Sequence, residues 1–453
     1  MAEEMFRPPI NRAMKVLDRS FFQKKILLSA AQVLNNQDIA SCRRELQRSK
    51  DILALERYSS VHPAPSTAAN TSRKCILLRP EVDSEQRRLP FSPKVQELQT
   101  SGLIEVVPYE LQLNYDYWTY LDIASAILPQ GVEDETPSSF TIVGHVAHLN
   151  LRDKYLEYKT LIGELLMDKN PGIRTVINKV EDVGEESEFR TFKYEVLVGE
   201  HDMDVEVREA DCTFRFNYAK VYWNTRLNTE HTRLVDSFKP GVAVCDVMAG
   251  IGPFAVPAGK KKVFVWANDL NPDSYDSLRD AIRRNKVSKF VMPFNTDGRA
   301  FIRNATTELL RYHHEAKVHG KPLRRSMAKE AGPVVNQTFR QPRTFAHYVM
   351  NLPATALEFL PSFVGLYSEE DRKSLPADFQ LPMIHVYCFS VKDDDNVTAT
   401  TQICQEISTQ LGYTVTTQTP ELNIHDVRDV APHKRMFCAS FRLPEEVAFR
   451  KVS

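Results

Sequence analysis

Short apolar runs recur along the second half of the chain, separated by polar and amphipathic stretches. Beyond residue 215 the runs are VAVCDV, VFVWAND, KFVMPFNTD, FAHYVMNL and MIHVYCFSV, and DSYDSLRDAIRRNK among them has helical spacing. Compact runs rich in β-branched and aromatic residues predict buried strands. Their alternation with helices predicts an α/β fold with a Rossmann-like, doubly wound parallel sheet. From about residue 114 the pattern predicts a helix over YWTYLDIASAIL, a strand over FTIVGHVAHLNL, a helix over KYLEYKTLIGELLMD, and strands over IRTVINKV, FKYEVLVG and MDVEVREADCTFRF. That is an α+β module.

Ahead of this module, KCILLRP reads as a strand and SPKVQELQTSGL as a short helix ended by Gly102. Residues 59–72, SSVHPAPSTAANTS, hold almost no large apolar side chain and read as a flexible loop or linker. The expected division is a small N-terminal domain over 1–105, an α+β middle domain over 106–214 and a Rossmann-like domain over 215–453. Arg7, Arg12, Lys15, Arg19, Lys24 and Lys25 make the start basic and amphipathic. It reads as a surface helix of the first domain or, if initiation is at Met5, as a transit-like segment. Residues 311–343 break the alternation with Arg311, Lys317, Lys321, Arg324, Arg325, Lys329, Arg340 and Arg343 among few acids. They read as a mobile basic insertion, either a solvated loop or a contact for RNA phosphates.

Composition narrows the class. With 42% hydrophobic and 26% charged residues, and no run approaching the ~20 apolar residues of a membrane span, a soluble globular protein is expected. A net charge of -1 means that any nucleic acid must be held by local basic patches. The seven cysteines are scattered without a CxxC pair, which argues against a zinc site or a disulfide framework and for a reducing compartment.

The strongest local signal is VAVCDVMAGIGPFAVPAGKK, a strand ending at Asp246 followed by Gly250 and Gly252. Glycines there let the backbone approach a ligand, but the spacing is not GxGxxG, so a dinucleotide pyrophosphate grip is poorly supported. Asp246 suits the cationic amino-acid end of a cofactor without phosphates. Asp269 in NDLNP is placed to accept from ribose hydroxyls, and Asp297 in NTDGR to accept from an adenine amine. Three acids at the carboxyl ends of successive strands converge on one crevice and favour a nucleoside cofactor, although Asp singly is common in loops and caps. FNYAKVYWNTRLNTEHTRLV gathers Tyr222, Trp223, Asn224, Arg226, Glu230 and His231. Such groups suit an unstacked base and its phosphate, but a strand running into a helix capped by Asn228 fits equally. Asn351 in MNLP could hold a purine edge or close a turn.

In combination, GHVAHLNL, FRTFKYEVLVGE, KVYWNTRLNTEH, CDVMAGIGPFAVPA, NDLNP, NTDGR and MNLP, in this order across residues 110–445, resemble the eukaryotic and archaeal tRNA (guanine(37)-N1)-methyltransferases. PPINRAMKVLDRSFF is similar to the family's eukaryotic start. The resemblance implies a class I methyltransferase domain at the C-terminus, an N-terminal domain that grips tRNA, S-adenosyl-L-methionine as cofactor and no metal. It implies methyl transfer to N1 of guanosine 37, with Glu230 as general base, Arg190 holding the guanine, Asn351 positioning it and Tyr222 near it. His231, Asp269 with Leu270, Asp297 with Gly298, and Asn351 match cofactor contacts. The long insertion departs from the pattern.

The chemistry agrees with that assignment. Guanine N1 carries a proton at neutral pH and becomes nucleophilic as a carboxylate removes it, while a guanidinium stabilises charge developing toward O6. The rivals are the related aminocarboxypropyl transferase of wybutosine synthesis, an RNA-binding protein with a degenerate crevice, and a nicotinamide dehydrogenase. A monomer without an obligate protein partner or membrane contact is expected, in cytoplasm and nucleus, with mitochondrial import open for a minority form.

Overall fold

The computed structural model describes residues 2–65, 73–80, 91–129, 139–180, 189, 191–318 and 337–451. Contacts divide the chain into two units. One comprises Met1–Phe140, Leu149–Ile177 and Val196–Gly199, the other Thr141–His148, Asn178–Glu195 and Glu200–Ser453.

The first unit opens with a one-turn helix, α1 (Ala2–Met5), and then β1 (Lys24–Val33). The end of the basic N-terminal stretch is therefore a strand, not part of a surface helix. Ile26 and Leu28 point inward with Leu27 exposed between them, the alternation of a pleated strand. After α2 (Ile39–Arg48) come β2 (Val61–Pro63), β3 (Lys74–Leu77), α3 (Pro93–Thr100) and β4 (Ile104–Leu113), and the four strands form a sheet of order β2-β3-β1-β4. Cys42 and Leu46 of α2 and Val95 and Leu98 of α3 pack on Ala31, Val33, Ile76 and Ile104 of the sheet. As the sequence predicts, α3 starts at its Ser92 cap and stops before Gly102, which holds a φ of 69°.

Two expectations change here. β4 pairs antiparallel with β1 over ten residues, from Lys24 with Leu113 to Val33 with Ile104, so a domain limit at 105 falls inside a strand. Val61–Pro63, within the expected linker, pairs with β3; residues 66–72 lie outside the described residues. The unit continues through α4 (Tyr120–Ile127), closed at its N-terminus by a Thr119–Asp122 capping box, and α5 (Lys159–Lys169).

The second unit contains the hairpin of β5 (Thr141–Val143) and β6 (Val146–Leu149) up to His148. β7 (Thr175–Lys179) and β8 (Tyr194–Gly199) run across the limits of the two units. β9 (Asp204–Glu209) and β10 (Cys212–Asn217) form a hairpin whose turn residues Ala210 and Asp211 have φ of 47° and 58°, the left-handed pair that a two-residue turn requires. The run MDVEVREADCTFRF is thus two strands.

After α6 (Asn228–Ser237) the chain alternates through β11 (Ala243–Asp246), α7 (Ala255–Lys260), β12 (Phe264–Asn268), α8 (Pro272–Arg284), β13 (Val291–Phe294) and α9 (Gly298–Arg311). β14 (Glu315–Val318) and β15 (Gln337–Arg340) come next, then β16 (His347–Met350), α10 (Glu369–Ser374), β17 (Met383–Val391), α11 (Val397–Leu411), β18 (Asn423–Ala431) and β19 (Lys434–Arg442). Seven strands form one sheet of order β13-β12-β11-β16-β17-β19-β18. The first five are parallel, as expected; β19 runs antiparallel to both neighbours.

The basic insertion is structured at both ends. β14 pairs antiparallel with β15, Arg340 forms an ion pair with Glu315 at 2.8 Å, and the Arg343 guanidinium donates to the Leu310 carbonyl. Its centre, 319–336, lies outside the described residues. All seven cysteines are buried thiols without a disulfide. No helix among the described residues is long and apolar enough to cross a membrane, and none of their acid, His and Cys clusters could hold a metal ion.

Candidate active site

Strand order reverses between β11 and β16, and the loops at the carboxyl ends of the strands open a crevice at such a switch point. Asp246 ends β11 inside it. The carboxyl is 1% exposed, neither oxygen has a hydrogen-bond partner among the described residues, and burial followed by the nearby Asp269 charge pushes its pKa well up. Asn351, just past β16, has an Oδ1 equally without a partner. Orphaned buried acceptors are costly, and a cationic or hydrogen-bonding ligand relieves them.

The loop after β11 shows why its glycines are there. Gly250 has a φ of 55° and faces open space, and its N–H donates to Asp269 Oδ2 at 2.7 Å. Gly252 has a φ of 94°, and a Cβ there would lie 2.7 Å from Leu278 Cδ1. Asp269 also accepts from the Asn271 N–H at 3.0 Å; burial raises its pKa and these two donors oppose the rise. Asn268, which the sequence reading passed over, is fully buried and ties the loops after β11 and β13 to the end of β12. Its amide donates to Val247 O and Thr296 O, and its Oδ1 accepts from Thr296 N.

Other residues of the cofactor group play more local parts. Asp297 is exposed, and its Oδ1 caps α9 by accepting from Arg299 N and Ala300 N, leaving Oδ2 open to a ligand. Gly298 is required by packing, since a Cβ would sit 2.9 Å from the Phe359 ring. Leu270 is exposed at the crevice rim. His231 is buried, with Nδ1 2.5 Å from Glu209 Oε1 and the ring edge-on to Phe254. Glu209 has no motif to announce it; a carboxylate opposite a buried histidine is legible only in three dimensions.

The aromatic and acidic segment resolves differently from either simple reading. Asn228 is the first residue of α6, which has no side-chain cap; Asn224 instead closes the short turn Thr225–Leu227 ahead of it by accepting from Arg226 N. Tyr222 is exposed. Nearby Arg428 has its pKa lowered by partial burial and by the charge of Arg226. Glu230 is 5% exposed, and both its oxygens accept from the Arg233 fork at 2.6 Å. Oε1 also accepts from the Tyr387 hydroxyl at 2.7 Å, and Oε2 lies 3.4 Å from His425 Nε2. The carboxylate holds Arg233 charged well beyond its ordinary range, while burial pushes the Tyr387 hydroxyl pKa well up. Arg233, Tyr387 and His425 went unread because they converge from α6, β17 and β18. Arg190 lies outside the described residues.

Glycines and acids at the carboxyl ends of β11, β12 and β13, on a parallel sheet continued by an antiparallel hairpin, define a class I methyltransferase. The chain belongs to the tRNA (guanine(37)-N1)-methyltransferase family. The family description of the TRM5/TYW2 methyltransferase domain matches residues 205–320, and that of the TYW2 N-terminal domain matches 120–202. The tRNA (guanine(37)-N(1))-methyltransferase of Aspergillus fumigatus is 53% identical over 99% of this chain and 96% of its own. That of Phaeosphaeria nodorum is 52% identical over 99% of this chain and all of its own. Trm5b from Pyrococcus abyssi shares the fold at 21% identity, with a TM-score of 0.58 over 92% of this chain and 99% of that one.

Proposed function

We propose that the protein transfers the methyl group of S-adenosyl-L-methionine to N1 of guanosine 37 in tRNA. Relatives at about half identity over nearly the full length carry that activity in their names, and this is the observation that carries the reading. The residues present fit the cofactor. Asp246, buried without a partner, suits its ammonium group; Asp269 suits the ribose hydroxyls, and Asp297 Oδ2 and Asn351 the adenine. When bound, the cofactor supplies a methyl group already activated on a sulfonium.

The chain's own task is to orient the guanine and remove its N1 proton. Glu230 accepts that proton in this reading, with Arg233 and Tyr387 fixing the direction of the carboxylate. The guanidinium fork has to yield one carboxylate oxygen for the transfer. Arg190 is assigned to O6 of the base by the family resemblance alone. Tyr222, exposed beside Arg226 and Arg428, suits stacking and phosphate contact.

Nuclease digestion and mass spectrometry of unmodified tRNA incubated with the protein and labelled cofactor should yield 1-methylguanosine at position 37. An aminocarboxypropyl adduct, or an unmodified base, would overturn the reading. Glu230→Gln keeps shape and loses basicity, so the single-turnover rate should fall by about 10²–10⁴ with cofactor affinity little changed. A near-normal rate would remove Glu230 as the base.

A further inference from the structure

A pocket of about 550 Å³ lies within the second unit at the amino ends of β12 and β13, and five of its lining residues are lysines: Lys260, Lys262, Lys286, Lys289 and Lys317. The cofactor crevice is at the carboxyl ends of the same strands, about 13–17 Å away along strands of this length. Among the described residues none of the five ammonium groups pairs with a carboxylate. Their hydrogen bonds go to backbone carbonyls, Lys260 to Asp211, Lys262 to Lys260 at 3.3 Å and Lys289 to Lys317 at 2.8 Å, and Lys262 also lies 5.6 Å over the Phe290 ring. Lys261, between two of them in sequence, instead pairs with Asp236 at 3.2 Å.

Lysines at helix ends often only complement the helix dipole. That accounts for Lys260, the last residue of α7, but not for Lys289 in a loop or Lys317 on β14. Nor does it account for the backbone of the other two. Both α7 and α8 end in a Schellman motif. Val263 N bonds Ala258 O with Lys262 N on Gly259 O, and Val287 N bonds Ile282 O with Lys286 N on Arg283 O. The left-handed position of this motif favours glycine, yet it holds Lys262 at a φ of 67° and Lys286 at 59°. The same motif ends α2 with Lys50 at a φ of 60°, so a left-handed lysine alone marks nothing; here two of them, with three further lysines, line a single pocket.

The remaining lining indicates which anion. Asn285, the other polar side chain in the lining, is fully occupied, its amide donating to Thr213 O and Ala281 O and its Oδ1 accepting from Thr213 N. Beside the ammonium donors, no lining side chain has an acceptor without a bond to offer a base edge. Spread positive charge with no free acceptor beside it suits phosphates in sequence-independent array. We propose that this pocket grips the phosphodiester backbone of the tRNA substrate away from the methylated base; the inference rests on the substrate reading above.

The test is equilibrium binding of an unmodified tRNA transcript to the full chain over a series of KCl concentrations, for the wild type and for Lys262→Gly/Lys286→Gly. Each phosphate contact contributes roughly 0.7–0.9 to the slope of log affinity against log salt, so the double variant should be shallower by about 1.4–1.8 and bind several-fold more weakly at low salt. The rate at saturating tRNA should hold, and the melting temperature should not fall, because glycine relaxes both left-handed positions. Lys289→Ala/Lys317→Ala, at positions of ordinary φ, should give a similar loss. Unchanged affinity and slope in both folded variants would overturn the proposal. So would pyrophosphate binding that the variants lose while their tRNA affinity stays at the wild-type level, which would mark a small-phosphate site. A wild type that binds no tRNA would instead sink the substrate reading, and this inference with it.

Discussion

Asp246 shows how one side chain trades stability for binding. Because burial raises its pKa, the folded chain keeps a proton that the unfolded chain has lost. Its contribution is therefore fully present below the ordinary carboxylate range near pH ~4 and is lost as pH rises toward the folded value. Asp246→Asn should flatten that loss and stabilise the cofactor-free protein by about 1–3 kcal/mol above that range, read from melting temperatures across pH, while weakening cofactor binding. Cofactor binding to the wild type should release a proton if a bound cation ionises Asp246; calorimetry in buffers of different ionisation enthalpy checks this, and proton uptake would contradict it. Tyr387 offers a second test, since its hydroxyl bonds a buried carboxylate. Tyr387→Phe should slow single-turnover methylation less than Glu230→Gln does and leave cofactor affinity intact.

Elements of the sheet are held in register at the crevice by loops rather than by the strands alone. Asn268→Ala would strand the partners of three hydrogen bonds, destabilising by about 1–3 kcal/mol in urea unfolding. Gly252→Ala combines a φ of 94° with a contact at 2.7 Å and should fall in a similar range of about 1–3 kcal/mol. The five parallel strands were legible because each is a compact apolar run between helices. β18 was not: NIHDVRDVA is an edge strand with exposed polar positions, and such a strand carries little apolar periodicity. The acids of the crevice were legible from their place after strands. The partners of Glu230 and His231 were not, since Arg233 is one of many basic residues, and Tyr387, His425 and Glu209 become neighbours only through the sheet and the β9–β10 hairpin.

At the scale of the whole molecule, β4 defeats the domain limit at 105, because ladder pairing with β1 leaves no change of composition to mark it. A chain beginning at residue 106 would present most of β4 unpaired, with Leu111 and Leu113 uncovered. It should elute as larger species relative to its mass than the intact chain in size-exclusion chromatography. Monodisperse truncated protein would show that β1 is not needed to cover β4.

The buried cysteines turn the molecule into its own recorder of motion. Cys42 and Cys75 lie in the first unit, and Cys212, Cys245, Cys388, Cys404 and Cys438 in the second, all of them buried thiols with pKa values raised chiefly by burial. A maleimide reacts with thiolate it can reach, so labelling proceeds only as fast as each segment breathes open. Intact-mass spectra taken over time would then separate a population with two adducts from one with five, timing the loosening of each unit without any engineered probe.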